Sequence, residues 1–353
     1  MAHGKIDKLY FRPTADKELV TDLEGLKDQL ARDGVAILHN VLRPEDCQMM
    51  QNGIWDTIEY TSQDFHGAKR YKTRGDERIV PLKRDDRDTW RNFQHFASMH
   101  NMLRQNDGVG AAAVCFSIRT LTAVYAAYEK IYGVKGKDLI SSQDGFAVRL
   151  PYEKDPRYVR EMAPWLHTDH AFHPKERSRY SVQSWVTAFD VGPRDATFAF
   201  LKGSHKFHKE FAIKFGLLDV KEDWYKLQTQ EEVDFFLERG CELMRVQCPA
   251  GSQVLWDSKT MHFGIGPVGG KQDSIRMVMY CCYVPRSWAT EKKLKRKREV
   301  FEDQKTTTHR PEQVKCFADK PRSYGNELQP VRKPEPVRVE DLSAVGRRMF
   351  GFD

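Results

Sequence analysis

The chain has no apolar run approaching the roughly 20 residues that cross a bilayer as a helix. Its start, Met1-Ala2-His3-Gly4-Lys5, lacks the apolar stretch of a secretory signal. Together these absences predict a soluble intracellular protein, cytoplasmic and without a membrane partner. No Cys-x-x-Cys pair occurs either. The seven cysteines, Cys47, Cys115, Cys241, Cys248, Cys281, Cys282 and Cys316, are odd in number and scattered. That spacing excludes a disulfide scaffold or a zinc ribbon as the organising principle and predicts buried, reduced thiols. Internal repeats are also missing, and net charge is nearly absent from most of the chain. From Arg286 onward 17 Lys and Arg face 11 Asp and Glu, which leaves 40 against 39 for everything before.

What is present is enough for a large folded domain. At 353 residues, with 40% hydrophobic and 11% aromatic content, the chain can bury a substantial core. Helical spacing of Leu19, Val20, Leu23, Leu26 and Leu30 predicts an amphipathic helix over 16–32, stopped at Asp33-Gly34. A short strand, Val35 to Leu38, follows. Pro44 then opens a second helix through Met49, Ile54 and Trp55. The charged stretch from Lys69 to Arg91 reads as a loop over a site, and a long helix is expected from Val109 to Tyr132.

From Gly145 the period changes to that of strands. Segments at 146–150, 182–189, 197–201, 243–246, 253–256 and 275–284 alternate or are apolar on both faces, which predicts a two-sheet sandwich covered by the N-terminal helices. An insertion at about 207–240, helical over 222–239, interrupts them. The expected division is therefore N-terminal helices over 1–144, a β core over 145–285, and a basic, Pro-rich extension over 286–353 that wraps the domain. Within that extension Lys292 to Arg298 reads as a nuclear-import signal, a contact for nucleic acid or another polyanion, or the solvated face of a helix near 288–301.

The chemistry-bearing segment is Trp165-Leu166-His167-Thr168-Asp169-His170. In a strand, positions i and i+2 leave the same face, so His167 and Asp169 can enter one pocket while Thr168 turns away. His262 follows a turn-strand-turn at 251–257, and Arg276 lies on the next strand. Two imidazoles and a carboxylate on three corners of an octahedron leave three positions open, the donor set of non-haem iron. A guanidinium on a neighbouring strand suits a dicarboxylate.

His167-Thr168-Asp169, Gln183-Ser184-Trp185, Phe200 to Lys206 with its Gly203-Ser204-His205 turn, and Gly251 to Asp257 followed by His262 resemble the phytanoyl-CoA dioxygenase family of Fe(II)/2-oxoglutarate oxygenases. The resemblance runs over about residues 20 to 285. It implies an all-β core with flanking helices, built as a double-stranded β-helix (jelly roll, cupin-like). It also implies Fe(II) held by His167, Asp169 and His262, and 2-oxoglutarate anchored by Arg276, with Trp185 lining its pocket. Arg149 and Arg245 compete for the anchor, because the path from His262 to Arg276 is longer than the family's. The implied reaction consumes O2 and 2-oxoglutarate, releases succinate and CO2, and hydroxylates a small organic substrate. Asp169 stands where halogenating relatives carry a small residue.

Other readings stay open on sequence alone. One is a non-catalytic protein of the same fold that binds polyanions through its basic extension. Another is a cupin-like metalloenzyme that needs no 2-oxoglutarate. A zinc cluster of His167, His170 and His173 would require three side chains to converge from a strand and a loop. His205 and His208 are expected to shape a turn or hydrogen-bond a neighbouring strand, and His95 and His100 to lie on a helix surface or at an interface. Arg149 and the basic residues near 69–91 and 157–160 point to an anionic substrate.

Overall fold

A computed structural model describes residues 6–71, 75–96, 105–151, 164–173, 179–270, 272, 274–318 and 328–353. The first 144 residues supply helices and edge strands alike: β1 (Arg12–Pro13), α1 (Leu26–Asp33), β2 (Val35–Leu38), α2 (Pro44–Thr61), the hairpin β3 (Ala68–Tyr71) and β4 (Gly75–Arg78), α3 (Ala113–Arg119), α4 (Thr122–Tyr132) and β5 (Leu139–Ser141). The core strands follow as β6 (Phe146–Arg149), β7 (His167–Thr168), β8 (Val182–Thr187) and β9 (Thr197–Lys202). The insertion holds α5 (His208–Lys214), β10 (Tyr225–Lys226) and α6 (Gln230–Leu237). Then come β11 (Glu242–Arg245), β12 (Gln253–Asp257), β13 (His262–Ile265), β14 (Arg276–Tyr280), β15 (Tyr283–Pro285), α7 (Glu291–Glu302) and α8 (Ala344–Met349).

Two sheets carry the architecture. One has the order β2-β12-β8-β14-β6, the other β1-β11-β9-β13-β7-β10. All pairings are antiparallel except that of β1 with β11. Side-chain alternation then divides each sheet into an outer and an inner face. The outer face of the five-stranded sheet, with Phe146, Val148, Val182, Val186, Leu255, Met277 and Met279, packs against Met50, Ile54, Ile58, Val124 and Tyr128 of the helices. The outer face of the six-stranded sheet, with Ala199, Leu201 and Phe263, is covered by Phe211, Val233, Phe235 and Phe236 of the insertion. Between the sheets lie Ala147, Trp185, Phe198, Phe200, Met244, Val254, Trp256 and Val278.

Several elements differ from the periodicity. The expected helix over 16–32 begins only at Leu26, because Leu19 adopts φ 66° and Val20 bridges to Ile37. Pairing with β2 outweighs helical spacing there. Gly34 ends α1 at φ 77°, where its N–H caps Leu30, and an added Cβ would meet His205 Nδ1 at 2.4 Å. The helix expected over 109–132 breaks into a short 3-10 turn, α3 and α4. The break lets buried Arg119 reach the Tyr280 carbonyl (Nε 3.1 Å), Gly110 (3.3 Å) and the Asp144 carbonyl. In the expected loop over 69–91, the described residues form the β3–β4 hairpin and the start of a 3-10 helix at Arg87–His95, with irregular chain and a turn over 79–86 between them. His95 is buried against Phe65 instead of surface-exposed, and His100 and residues 157–160 lie outside the described set. In the insertion, helix is limited to α5 and α6, and 225–226 forms an edge strand beside β7.

All seven cysteines are free and six of them are buried; burial pushes Cys281 up to about 12. No helix among the described residues is long and apolar enough to cross a membrane.

Candidate metal centre

His167 and His262 are direct cross-strand partners in the β7–β13 ladder, so their side chains leave one face side by side. Their ring centroids are 4.4 Å apart. Asp169 follows β7 by one residue. Its Oδ2 lies 3.7 Å from His167 Nε2 and 3.3 Å from His262 Nε2. One donor atom from each of the three fits within a 4.8 Å cluster, and all three residues are buried. Each imidazole has its other nitrogen occupied: His167 Nδ1 lies 3.2 Å from the Trp165 carbonyl, His262 Nδ1 2.8 Å from the Thr260 carbonyl. A carbonyl can only accept, so Nδ1 carries the proton and Nε2 turns its lone pair to the centre.

The surrounding backbone fixes these positions. Asp169 N donates to the Ser258 carbonyl at 3.0 Å, and Thr168 Oγ1 donates to the same carbonyl at 3.0 Å. Thr168 therefore ties the β7 turn to the loop leading into β13. The Gly203-Ser204-His205 turn supplies Ser204 Oγ, which accepts from Met261 N at 2.9 Å, one residue before His262. Gln183, on the inner face of β8, donates from Nε2 to Asp169 Oδ2 at 3.0 Å. That bond orients the carboxylate as outer partners of metal ligands do.

Burial pushes the His262 imidazole below its ordinary range, with His167 adding to the effect. Burial alone would raise the Asp169 carboxyl, but the neighbouring imidazoles of His309, His167 and His262 carry it well below the carboxylate range. An ionised carboxylate beside neutral imidazoles is the state in which all three donate electron pairs. Trp165 stacks on His167 at 4.6 Å and 8°, and half-exposed Trp224 flanks the same ring at 5.8 Å.

The competing cations separate by register. Arg276 and Arg149 are direct partners across β14 and β6, on the inner face with Val278 and Ala147. Arg276 Nε is buried without a hydrogen-bond partner, and its guanidinium interacts with Tyr280 on the same strand face. Arg245 opposes Ala199 on the outer face, and its guanidinium donates to the carbonyls of Asp195 and Gly266. Trp185 is fully buried on the inner face, paired across β8 and β14 with Tyr280. The His167-His170-His173 cluster does not form: His170 Nδ1 faces Arg310 at 3.2 Å, and the His208 ring lies beside it. His205 Nε2 meets the Ala31 carbonyl of α1 at 3.1 Å and His208 Nε2 the His170 carbonyl at 3.0 Å, so each ties its segment to one distant in sequence.

Three groups beside the centre escaped the sequence reading. Arg310 donates to the Asp169 carbonyl at 3.0 Å. His309 and Asp144 are close enough for their charges to act on Asp169, and burial pushes Asp144 up to about 7 and His309 down to about 4. A basic pair flanked by the β-branched run Thr306-Thr307-Thr308 is the one local hint of an ordered segment there.

No family model matches the chain. Ava biosynthesis cluster protein O of Aspergillus versicolor is 28% identical over 291 residues, which span 81% of this chain and 85% of that protein. Among solved structures, the epimerase SnoN in complex with Fe3+, alpha ketoglutarate and nogalamycin RO aligns with TM-score 0.46 and 17% identity, covering 74% of this chain and 83% of its own. AviO1 from Streptomyces viridochromogenes aligns with TM-score 0.46 and 17% identity, over 74% of this chain and 95% of its own. GlcNAc Inducible Gene 2 of Candida albicans aligns with TM-score 0.48 and 10% identity, over 97% of this chain and 83% of its own.

Proposed function

We propose that the chain is an Fe(II)- and 2-oxoglutarate-dependent oxygenase of the double-stranded β-helix type, resembling the phytanoyl-CoA dioxygenase family, and that it hydroxylates a small organic molecule. The observation that carries this reading is the convergence of His167 Nε2, His262 Nε2 and Asp169 Oδ2, with both Nδ1 atoms held on backbone carbonyls. The division of the core strands, with β6, β8, β12 and β14 in one sheet and β7, β9, β11 and β13 in the other, supports the jelly-roll assignment. Two nitrogens and one carboxylate oxygen on one side of a site fit iron, and the residues present match that demand.

Bound iron with 2-oxoglutarate and O2 supplies oxidising power, with succinate and CO2 as by-products. The chain's own residues position, orient and dry the site. His167, Asp169 and His262 hold the metal, and Gln183 keeps Asp169 in one rotamer. Arg276, with Arg149 opposite, offers a planar guanidinium to the distal carboxylate of 2-oxoglutarate between the sheets. Trp185 shields that region from water. Asp169 fills the ligand position that a halogenase would vacate, which favours hydroxylation. Trp165 and Trp224 flank His167 and give the centre an aromatic rim suited to a small organic molecule, as a relative from a biosynthesis cluster would need. A small-molecule partner inside the cell also suits α7, whose Lys293, Arg296, Lys297 and Arg298 are engaged within the chain.

Succinate release from 2-oxoglutarate by the Fe(II)-loaded protein, compared with a His167→Ala variant, tests the reading. Turnover in the parent and its loss in the variant are expected. Iron affinity and 2-oxoglutarate consumption that survive the change would overturn the assignment. Loss of Arg276 without loss of activity would favour a metalloenzyme that needs no 2-oxoglutarate.

A further inference from the structure

Beyond α7 the chain doubles back as a small hairpin, with Thr308 N donating to Lys315 O at 2.9 Å and Phe317 N to Thr306 O at 3.2 Å. This segment is built into the molecule. Thr307 N donates to Gln143 O, Gln143 N to Thr307 Oγ1 and Gly110 N to Thr306 Oγ1, at 2.9, 2.9 and 3.0 Å. On the other side Asp223 accepts from Gln313 Nε2 at 2.9 Å and Lys315 Nζ at 3.2 Å, one residue before Trp224 beside His167. Thr306, Thr307, Arg310 and Glu312 are all buried. Arg310 then locks the segment to the centre through the Asp169 carbonyl and His170 Nδ1.

Four buried polar atoms of the segment have no hydrogen-bond partner: His309 Nε2, Arg310 Nε, Glu312 Oε2 and Gln313 Oε1. Arg310, Glu312 and Gln313 each reach a partner through another side-chain atom, which singles out the His309 ring. A buried ring nitrogen left unmade costs free energy unless something completes it. The ring interacts electrostatically with Asp169, His262, Arg310 and Asp223, and it is next in sequence to the Arg310 that bonds the Asp169 carbonyl, so it sits beside the triad. Gly110, Gln143 and the Thr306–Thr308 backbone hold the segment from behind and add no charge facing that ring.

We infer that residues 305–317 form a wall of the metal centre and that His309 is a further ligand-binding residue, donating from Nε2 to a small anionic ligand that enters the centre beside Asp169. The inference rests on the metal-centre reading but not on 2-oxoglutarate. Neutral at pH 7, the imidazole donates one hydrogen bond without competing for the metal.

The test uses Co(II)-loaded full-length protein, with azide and 2-oxoglutarate as separate probes, followed by visible absorption. In His309→Ala, Co(II) affinity should stay within about threefold of the parent while azide affinity falls about tenfold, the effect of one hydrogen bond to a charged ligand. His309→Gln, which keeps an N–H at similar reach, should recover most of the loss, and a purely structural role would not show that rescue. A parallel fall in 2-oxoglutarate affinity assigns His309 to the co-substrate's carboxylate. An unchanged 2-oxoglutarate affinity assigns it to the remaining open position. Unchanged binding of both probes in His309→Ala overturns the inference, as does a loss of Co(II) affinity equal to the loss of azide. A parent protein that binds Co(II) and azide but no 2-oxoglutarate would sink the oxygenase reading and leave this one standing.

Discussion

The two faces of β14 carry different chemistry: Met277 and Met279 on one are fully buried, whereas Arg276 and Tyr280 on the other are partly buried. Met277 and Met279 point outward into the helical layer and join its apolar cluster. Arg276 and Tyr280 point inward, toward the space that also holds Gln183, Arg149 and the triad. Burying a methionine contributes to stability at about 25 cal/mol per Å² of apolar area. Burying a guanidinium, an amide or an imidazole costs free energy unless each polar atom is paired. Packing alone would select Met-like residues on both faces, so the polar groups of the inner face call for another explanation, which the proposed iron and 2-oxoglutarate site supplies.

That contrast can be broken from either side. Asp169→Asn should lower Co(II) or Fe(II) affinity by about 100-fold or more, beyond the 10–100-fold carried by outer partners, with little change in thermal stability. Metal titration with parallel melting curves checks it, and an equal loss in both would make Asp169 structural. Met279→Ala should do the reverse. A cost of about 2–4 kcal/mol is expected from the lost methylenes and the cavity, with metal affinity unchanged. Gln183→Leu sharpens the line between the faces, since it should weaken metal binding about tenfold while leaving denaturant stability within about 1 kcal/mol.

Lys297 offers the smallest and most pH-specific test. Burial pulls its ammonium down to about 7, and Nζ donates to the Ser141 carbonyl. Between pH 7 and 10.5 the unfolded chain binds a proton that the folded chain has released, so stability rises with pH across that window. Below pH 7 both states are charged and the full burial cost remains. Lys297→Met should therefore stabilise the protein by about 1–3 kcal/mol at pH 7, with the gain shrinking toward pH 10. A gain that is flat with pH would contradict the buried-ammonium description.

Much of the centre was legible because strand geometry is local. A period of two places His167 beside Asp169, and a single cross-strand pair brings in His262. Register, which one chain read alone does not reveal, sorted Arg276 and Arg149 from Arg245. His309 and Arg310 were not legible at all. Arg310 meets the Asp169 carbonyl across 141 residues of chain, from a segment with neither helical nor strand period. The basic run at 292–298 was legible in part: Lys292, Lys293 and Lys295 are exposed on a helix, but charge spacing does not reveal that Lys297 faces inward against β5 while Leu294 packs beside it. The helix expected over 16–32 failed for the opposite reason, because a correct local pattern lost to pairing with β2.

The most direct test of the centre is anaerobic titration of the protein with Fe(II) and then 2-oxoglutarate, read by the charge-transfer absorption that forms when a 2-oxo acid chelates the metal. A saturable band in the parent protein, absent in His262→Ala and requiring a higher 2-oxoglutarate concentration in Arg276→Ala, is expected. A band of equal intensity and affinity in His262→Ala, or none in the parent protein despite bound Fe(II), would contradict a 2-oxoglutarate-binding iron centre at His167, Asp169 and His262.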